Sequence, residues 1–332
     1  MAGFWPLHNR YRRENDVEKR LPIDLGDGIS LIDGFDLGME GRTGTYVIRE
    51  EELTLIETSA SPSVPHIIAG LSALGLDPAD VKYVVVTHIH LDHAGGAGLL
   101  LRDHCPQAQV VVHPKGARHL VDPSRLIMGA RAVYGESFDQ FFEPIIPVPA
   151  ERVLVKGHEE TLQIGPSRAL TFYDSPGHAY HHSSIYDPVS NGMFTGDTLG
   201  VLYSQLQEDG VSLYLPSTSP NQFDPEAMLR SLAMVRELGV TRIFFGHFGM
   251  SSEVDEVYRQ LEMWIPRFVQ AAEAAQASGQ LETAVVSQKL LAMVAAHLET
   301  QGIAADHPAY GILRADLEIC AMGLVDYLQK KQ

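Results

Sequence analysis

The sequence predicts an α/β protein of the α+β kind with a helical appendage at its C-terminal end. Three features carry that reading. A continuous β-branched run, Lys82-Tyr83-Val84-Val85-Val86-Thr87, has the composition of a strand covered on both faces. Strand-like and helix-like segments alternate around it, as in a sheet flanked by helices. From Val254 onward strand propensity almost disappears and Ala-rich helical spacing takes over.

The elements follow in order. Gly28 to Asp36 and Gly44 to Glu57 mix apolar alternation with β-branched residues and predict strands joined by Gly-containing turns. Ser63 to Leu74 shows helical spacing, with a serine before Pro65 near its start and Gly75 near its end. Ala97 to His104 reads as a helix and Gln109 to His113 as a strand. The stretch Ser124 to Phe142 predicts a core-packed helix pair, with a substrate-covering lid as the second reading. Strands resume at Arg152, Thr161, Ala169, Ser183 and Met193, and a helix from about Asp224 to Leu238 precedes the strand Thr241 to Phe245. In the helical tail, weak breaks fall near Gly279 and over Gly302 to Pro308.

Composition narrows the class of partner. The 332 residues carry 42 acidic against 25 basic side chains, a net charge of −17, so the average field repels nucleic acid and anionic lipid. No run approaches the length a membrane span requires, and the short patch Phe4-Trp5-Pro6-Leu7 is followed by Arg10, Arg12 and Arg13 rather than by a continuous apolar segment. The two cysteines, Cys105 and Cys320, have no metal-binding or redox spacing and are expected as buried thiols in a cytoplasmic protein.

The chemistry is concentrated in His88-Ile89-His90-Leu91-Asp92-His93, which follows the buried strand directly. Imidazole and carboxylate suit zinc, iron and manganese. In a tight loop, residues two apart converge on one ion and leave Asp92 and His93 to face a second. Three later segments each end a β-rich run on glycine followed by a candidate ligand: Gly177-His178, Gly196-Asp197 and Gly246-His247. Glycine permits unusual dihedrals and close backbone approach at those points.

These residues resemble the metallo-β-lactamase-fold superfamily, and specifically its hydrolase branch of hydroxyacylglutathione hydrolases and acyl-homoserine lactonases. The resemblance covers roughly Gly28 to Gly249. It implies a four-layer αββα sandwich with the site along one edge, a catalytic domain over residues 1–252 and a helical appendage over 253–332. It further implies that His88, His90 and His178 hold one metal, that Asp92, His93 and His247 hold a second, and that Asp197 bridges them. Two divalent ions are therefore expected, zinc first, with iron or manganese as alternatives. A hydroxide shared by two cations has its pKa lowered towards ~7 and is a strong nucleophile at neutral pH. Asp92 and Asp197 are the expected catalytic carboxylates, Asp92 orienting the hydroxide and carrying a proton to the leaving group.

Departures from the subfamilies shape the expected reaction. Hydroxyacylglutathione hydrolases typically show T-P-G-H-T-x-G-H; here His181 stands at the second glycine of Ser175-Pro176-Gly177-His178-Ala179-Tyr180-His181-His182. Lactonases usually place a tyrosine three positions after the bridging aspartate; here that position is Gly200 and the nearest tyrosine is Tyr203. The family's Leu-Ile-Asp-Thr-Gly is Leu55-Ile56-Glu57-Thr58-Ser59, so Glu57 is a candidate longer acceptor, and Thr87, Asp174, Thr195 and Ser183 are candidate supports for the ligands. A di-iron oxygen or nitric oxide reductase-type redox protein of this fold is the less favoured alternative, since that family usually carries glutamate where this chain has His90 and appends a flavodoxin domain, whose phosphate-binding Gly-rich strand-to-helix turn the tail lacks. The expectation is a hydrolase of carboxylic esters, thioesters or lactones, with phosphodiesters second. Tyr180, His181, Tyr203 and Phe248 are the candidate substrate contacts, the Met128 to Phe142 stretch is expected to meet an apolar acyl or aryl group, and the C-terminal helices are expected to form a cap or a homodimer surface.

Overall fold

A computed structural model describes residues 20–331. The patch Phe4 to Leu7 and the three arginines after it lie outside the described residues.

Two sheets stack face to face. The first has seven strands in chain order: β1 (Ile23–Gly26), β2 (Ile29–Asp33), β3 (Gly44–Ile48), β4 (Thr54–Ile56), β5 (Tyr83–Val85), β6 (Gln109–Val112) and β7 (Val153–Val155). Neighbours are antiparallel from β1 to β4 and parallel from β4 to β7. The second contains β8 (Thr161–Gly165), β9 (Arg168–Asp174), β10 (Ser183–Asp187), β11 (Gly192–Gly196), β14 (Arg242–Phe245) and β15 (Met250–Ser251), in the spatial order β15-β14-β11-β10-β9-β8. A two-stranded ribbon, β12 (Val201–Leu202) with β13 (Tyr214–Leu215), stands apart from both.

The period-two geometry of a strand explains the continuous apolar runs. Val84, Val110 and Val112 point outward to α1 (Val64–Ala73) and α3 (Ala97–Asp103), while Val85 and Val111 point inward. On the second sheet Phe194 and Phe244 face inward to meet them, and Met193, Ile243 and Phe245 face the opposite helical layer. Helices, sheet, sheet and helices thus form the four layers the sequence predicts.

Between β5 and β7 lie the short α2 (Leu91–Ala94), α4 (Ala117–Val121), α5 (Ser124–Tyr134) and α6 (Phe138–Phe142). The helix pair expected over Ser124 to Phe142 divides in function. Phe138, Phe141 and Phe142 of α6 are buried with Ala60 and Leu91, whereas α5 contributes no buried residue and leans over the cavity described below.

On the far side, α7 (Pro225–Glu237) is followed by α8 (Val254–Ala277), α9 (Thr283–Thr300) and α10 (Ala309–Lys330). Val257, Leu261, Trp264, Ile265, Phe268 and Ala272 recur at helical spacing along α8 and pack on the outward face of the second sheet, and α9 and α10 join the same core through Leu290, Val294, Leu313 and Leu317. The helices after residue 252 therefore share one apolar core with the sheet. None of the large hydrophobic side chains that stand exposed among the described residues lies on α8 to α10. No helix among the described residues is long and apolar enough to cross a membrane.

Candidate metal centre

The segments after β4 and β5 meet at the ends of these parallel strands. Thr58 donates both its amide and its hydroxyl to the His93 carbonyl, at 2.8 and 2.9 Å, which ties the Glu57 to Ser59 turn to α2. That turn holds Glu57 and Ser59 at φ of 65° and 52°, the left-handed region that side chains seldom occupy. Ligands from later in the chain arrive on tight turns. A Cβ on Gly177, at φ 138°, would lie 2.4 Å from the Met228 backbone, and one on Gly246 would lie 2.7 Å from the His93 ring. Glycine before His178 and His247 is thus a requirement of space.

Three imidazoles converge first. His88 Nε2 and His178 Nε2 lie 3.0 and 2.8 Å from His90 Nδ1. Their outer nitrogens fix the tautomers. His178 Nδ1 is 3.0 Å from the Ser217 carbonyl, which can only accept, so the proton sits on Nδ1 and Nε2 offers its lone pair inward. Thr87 Oγ1 gives its proton to Glu57 Oε1 at 2.5 Å and so accepts from His88 Nδ1 at 3.0 Å, again leaving Nε2 free to ligate.

Asp92, His93 and His247 form a second group of ligand atoms within 4.8 Å of one another. Asp92 Oδ2 is 3.8 Å from His93 Nε2 and 3.6 Å from His247 Nε2. Asp197 stands between the two groups: Oδ1 is 3.2 Å from His93, and Oδ2 is 3.3 Å from His247 and 3.7 Å from His178. Ser217 Oγ donates to Oδ2 at 2.9 Å, and the Asp197 amide donates to His182 Nε2 at 3.2 Å. His182 is braced in turn by Ser175 Oγ, 2.8 Å from its Nδ1.

The donor set suits divalent cations. His93 Nε2 and Asp197 Oδ1 are buried 3.2 Å apart, yet neither has a hydrogen bond. With a nitrogen of His88 they form a group whose ligand atoms all lie within 4.8 Å of one another, close enough to share one ion. The electrostatics agree. Burial pulls His88, His90 and His178 below the usual histidine range and so keeps them neutral. Burial also opposes charge on His93 and His247, but Asp197 outweighs it and raises both. Against the cost of its own burial, Asp197 is held well below the usual carboxylate range by His247, His93 and His178.

Of the expected supports, Thr87 bonds a candidate ligand and Glu57 stands behind it. The other three do not. Asp174 is 3.1 Å from His113 Nε2, Thr195 Oγ1 reaches the Phe244 carbonyl at 3.4 Å, and Ser183 meets the loop through its amide, 2.8 Å from the Thr87 carbonyl. The missed partners are Ser217 and His182.

Above these groups is a cavity of about 260 Å³. Asp92, Asp197, His90, His178 and His247 line its floor, and α5 forms a wall through Leu126, Ala130, Val133 and Tyr134. The candidate substrate contacts divide. His181 and Tyr203 line the cavity. Tyr180 is 54% exposed on the outer surface, because successive residues of the turn point to opposite sides and its amide is held by Gln222. Phe248 is buried in the core between the sheets, with Arg20 over its ring. Met128 is likewise turned away from the cavity, 69% exposed.

The cavity's remaining wall comes from far along the chain. Asp316 and Ile319 of α10 line it together with Arg42. Arg42 is buried, with Nη1 3.2 Å from Asp36 and Nη2 3.2 Å from Asp316, and Tyr203 donates its hydroxyl to Asp316 at 3.2 Å.

Fold and cage together define a class. The sequence profile of the metallo-β-lactamase superfamily matches residues 39–247, a span that contains all seven candidate ligands, and the chain belongs to that superfamily, whose members are generally metal-dependent hydrolases. Metallo-β-lactamase fold-containing protein ST1585 from Sulfurisphaera tokodaii is 30% identical over 211 residues, 62% of this chain and 73% of that protein. Its crystal structure matches with a TM-score of 0.60 at 24% identity over 73% of this chain and 86% of that one. The metallo-β-lactamase family protein TTHA1429 from Thermus thermophilus shares the fold at a TM-score of 0.64 and 20% identity, over 93% of this chain and 95% of its own. An N-acyl homoserine lactonase, AttM from Azorhizobium caulinodans, is 33% identical over 118 residues, which is 36% of this chain and 40% of that enzyme.

Proposed function

We propose that this chain is a hydrolase that holds two divalent metal ions, zinc first, and cleaves a carboxylic ester, thioester or lactone, with a phosphodiester as the second substrate class. The observation that carries the reading is the convergence of His88, His90 and His178 on one side and of Asp92, His93 and His247 on the other, with Asp197 within 3.7 Å of His93, His178 and His247 and its buried Oδ1 without a hydrogen bond. His88, His90 and His178 would hold one ion, Asp92, His93 and His247 the other, with Asp197 between. Bound there, the cations would activate water and polarise the scissile carbonyl. The protein's own groups supply orientation. Ser217 fixes Asp197 Oδ2. Asp92, with 16% of its side chain exposed, is more open than His247 beside it and is placed to accept a proton and return it to the leaving group. The partial similarity to a lactonase supports the ester or lactone class over the phosphodiester.

The test is elemental analysis of purified protein together with a panel of ester, thioester, lactone and phosphodiester substrates, comparing wild type with Asp197→Ala and Asp92→Asn. Two ions per chain, and a turnover lost in both variants, are expected. Activity that survives Asp197→Ala would remove the cage from the mechanism.

A further inference from the structure

The cavity has a polarity along its length, which α5 sets. Residues 125, 126, 129, 130, 133 and 134 all line it, the stripe that one face of a helix presents. From Arg125 to Tyr134 that stripe runs about 13 Å at the rise of an α-helix. Its middle is hydrocarbon: Leu126, Ala130 and Val133. At the Tyr134 end lies the buried network of Arg42, Asp36, Asp316 and Tyr203, in which Arg42 already has two carboxylates.

The Arg125 end differs. Arg125 is exposed yet lines the cavity, which places it at the mouth, and its guanidinium has no ion pair or hydrogen bond among the described residues. Asp122, the nearest acid in sequence, accepts from the Ser124 amide at 3.1 Å. Beside Arg125 the cavity is lined by His119 and His181. Arg118 Nε donates to His119 Nε2 at 3.1 Å, so a neutral His119 carries its proton on Nδ1 and is a donor there. His181 is 7% exposed, and its Nδ1 is buried without a hydrogen-bond partner. Its ring lies 5.5 Å from that of His90, so this end of the cavity stands over the group of His88, His90 and His178. In a chain of net charge −17, Arg125 at this mouth is a local exception to the prevailing field, and the two imidazoles line the cavity beside it.

We propose that the substrate is an amphiphilic ester bearing an anionic group, a carboxylate or phosphate, which Arg125 and His119 receive at the mouth while the hydrocarbon lies along Leu126, Ala130 and Val133. Arg125 and His119 then set specificity. This rests on the hydrolase reading above, but binding tests it without turnover. Metal-loaded protein is assayed with the mono-4-nitrophenyl ester of suberic acid, which is anionic, and with the neutral 4-nitrophenyl octanoate of equal chain length. Suberate and octanoate are titrated in parallel by calorimetry.

Wild type should prefer the anionic ester in kcat/KM, and suberate over octanoate in binding, by about two- to fivefold, the worth of one partly exposed ion pair. Arg125→Gln should remove most of that ratio and Arg125→Glu should reverse it. Equal ratios in wild type, or a preference that survives Arg125→Glu, overturn the proposal. If neither ester is hydrolysed but suberate binds through Arg125, the hydrolase reading loses support while the anion site stands.

Discussion

The Thr87 hydroxyl lies 2.5 Å from Glu57 Oε1, and since a carboxylate can only accept, the hydroxyl's one proton is committed to it. The same oxygen must therefore accept from His88 Nδ1, and the two residues together set which nitrogen of His88 faces the cage. Thr87→Val keeps the shape and removes the relay. Metal affinity should fall by about 10- to 100-fold, the usual cost of losing a group that orients a ligand. Competition with a chromogenic chelator measures it, and unchanged affinity would show that His88 is oriented by packing alone.

The metal-free protein should have a stability optimum in pH. Asp197 raises His93 and His247 above their ordinary value of 6.5. A raised histidine contributes stability that is complete below the unfolded pKa and is lost as pH rises through the folded one. His88, His90 and His178 are lowered by burial, so their protonation below the same ordinary value costs stability. Urea unfolding of chelator-treated protein should give the highest midpoint at about pH 6.5 and lower ones on either side. Saturation with metal should remove the loss on the alkaline side, because cations replace the protons. A midpoint that climbs steadily above neutrality without metal would contradict the assignment.

Gly196→Ala should disable the cage from outside it. At φ 47° the new Cβ would lie 2.4 Å from Thr87 Oγ1 and 2.5 Å from His182 Nε2, the two groups that hold His88 and the Asp197 amide. A loss of about 2 kcal/mol or more in unfolding free energy is expected from backbone strain and overpacking together. Gly210→Ala, at φ 75° with open space around the added Cβ, is the matched control and should cost about 1 kcal/mol.

The stretch expected to meet an apolar substrate group should separate into three behaviours. Met128→Ala should change neither stability nor KM, since Met128 points to solvent. Phe138→Ala should cost about 3 kcal/mol or more, because its ring is fully buried against Phe142. Tyr134→Ala should raise KM for hydrophobic esters, as Tyr134 lines the cavity. Steady-state kinetics with chemical denaturation resolves the three.

Asp316→Ala should show that α10 belongs to the site. It leaves buried Arg42 with Asp36 alone and strips Tyr203 of its acceptor, at a cost of about 3 kcal/mol, which urea titration would detect. A change below about 1 kcal/mol would mean that Asp36 suffices.

How much of this was legible in the chain depended on distance along it. The His88 to His93 segment and the three glycine-preceded ligands are local patterns, and local patterns survive without knowledge of the fold. Most strands followed for the same reason, because a buried residue run leaves a compositional mark, whereas β1, β12, β13 and β15 are too short to leave one. Ser217 left none: it lies in Leu215-Pro216-Ser217-Thr218-Ser219-Pro220, where one hydroxyl looks like the next. The Arg42 to Asp316 pair was equally silent, since an ion pair joining opposite ends of a chain has no spacing rule. Tyr180 and Phe248 were misjudged because nearness in sequence to a ligand does not fix the direction of a side chain; a turn sent one outward and the inner face of the sheet took the other.

Because α10 supplies part of the cavity wall, the order of synthesis bears on the site. Every candidate ligand, His247 included, leaves the ribosome before Asp316 is made. Yet α8 to α10 share one core with the second sheet, and a domain folds as a unit, so the cage and the chamber above it take their final shape together once this last helix has emerged.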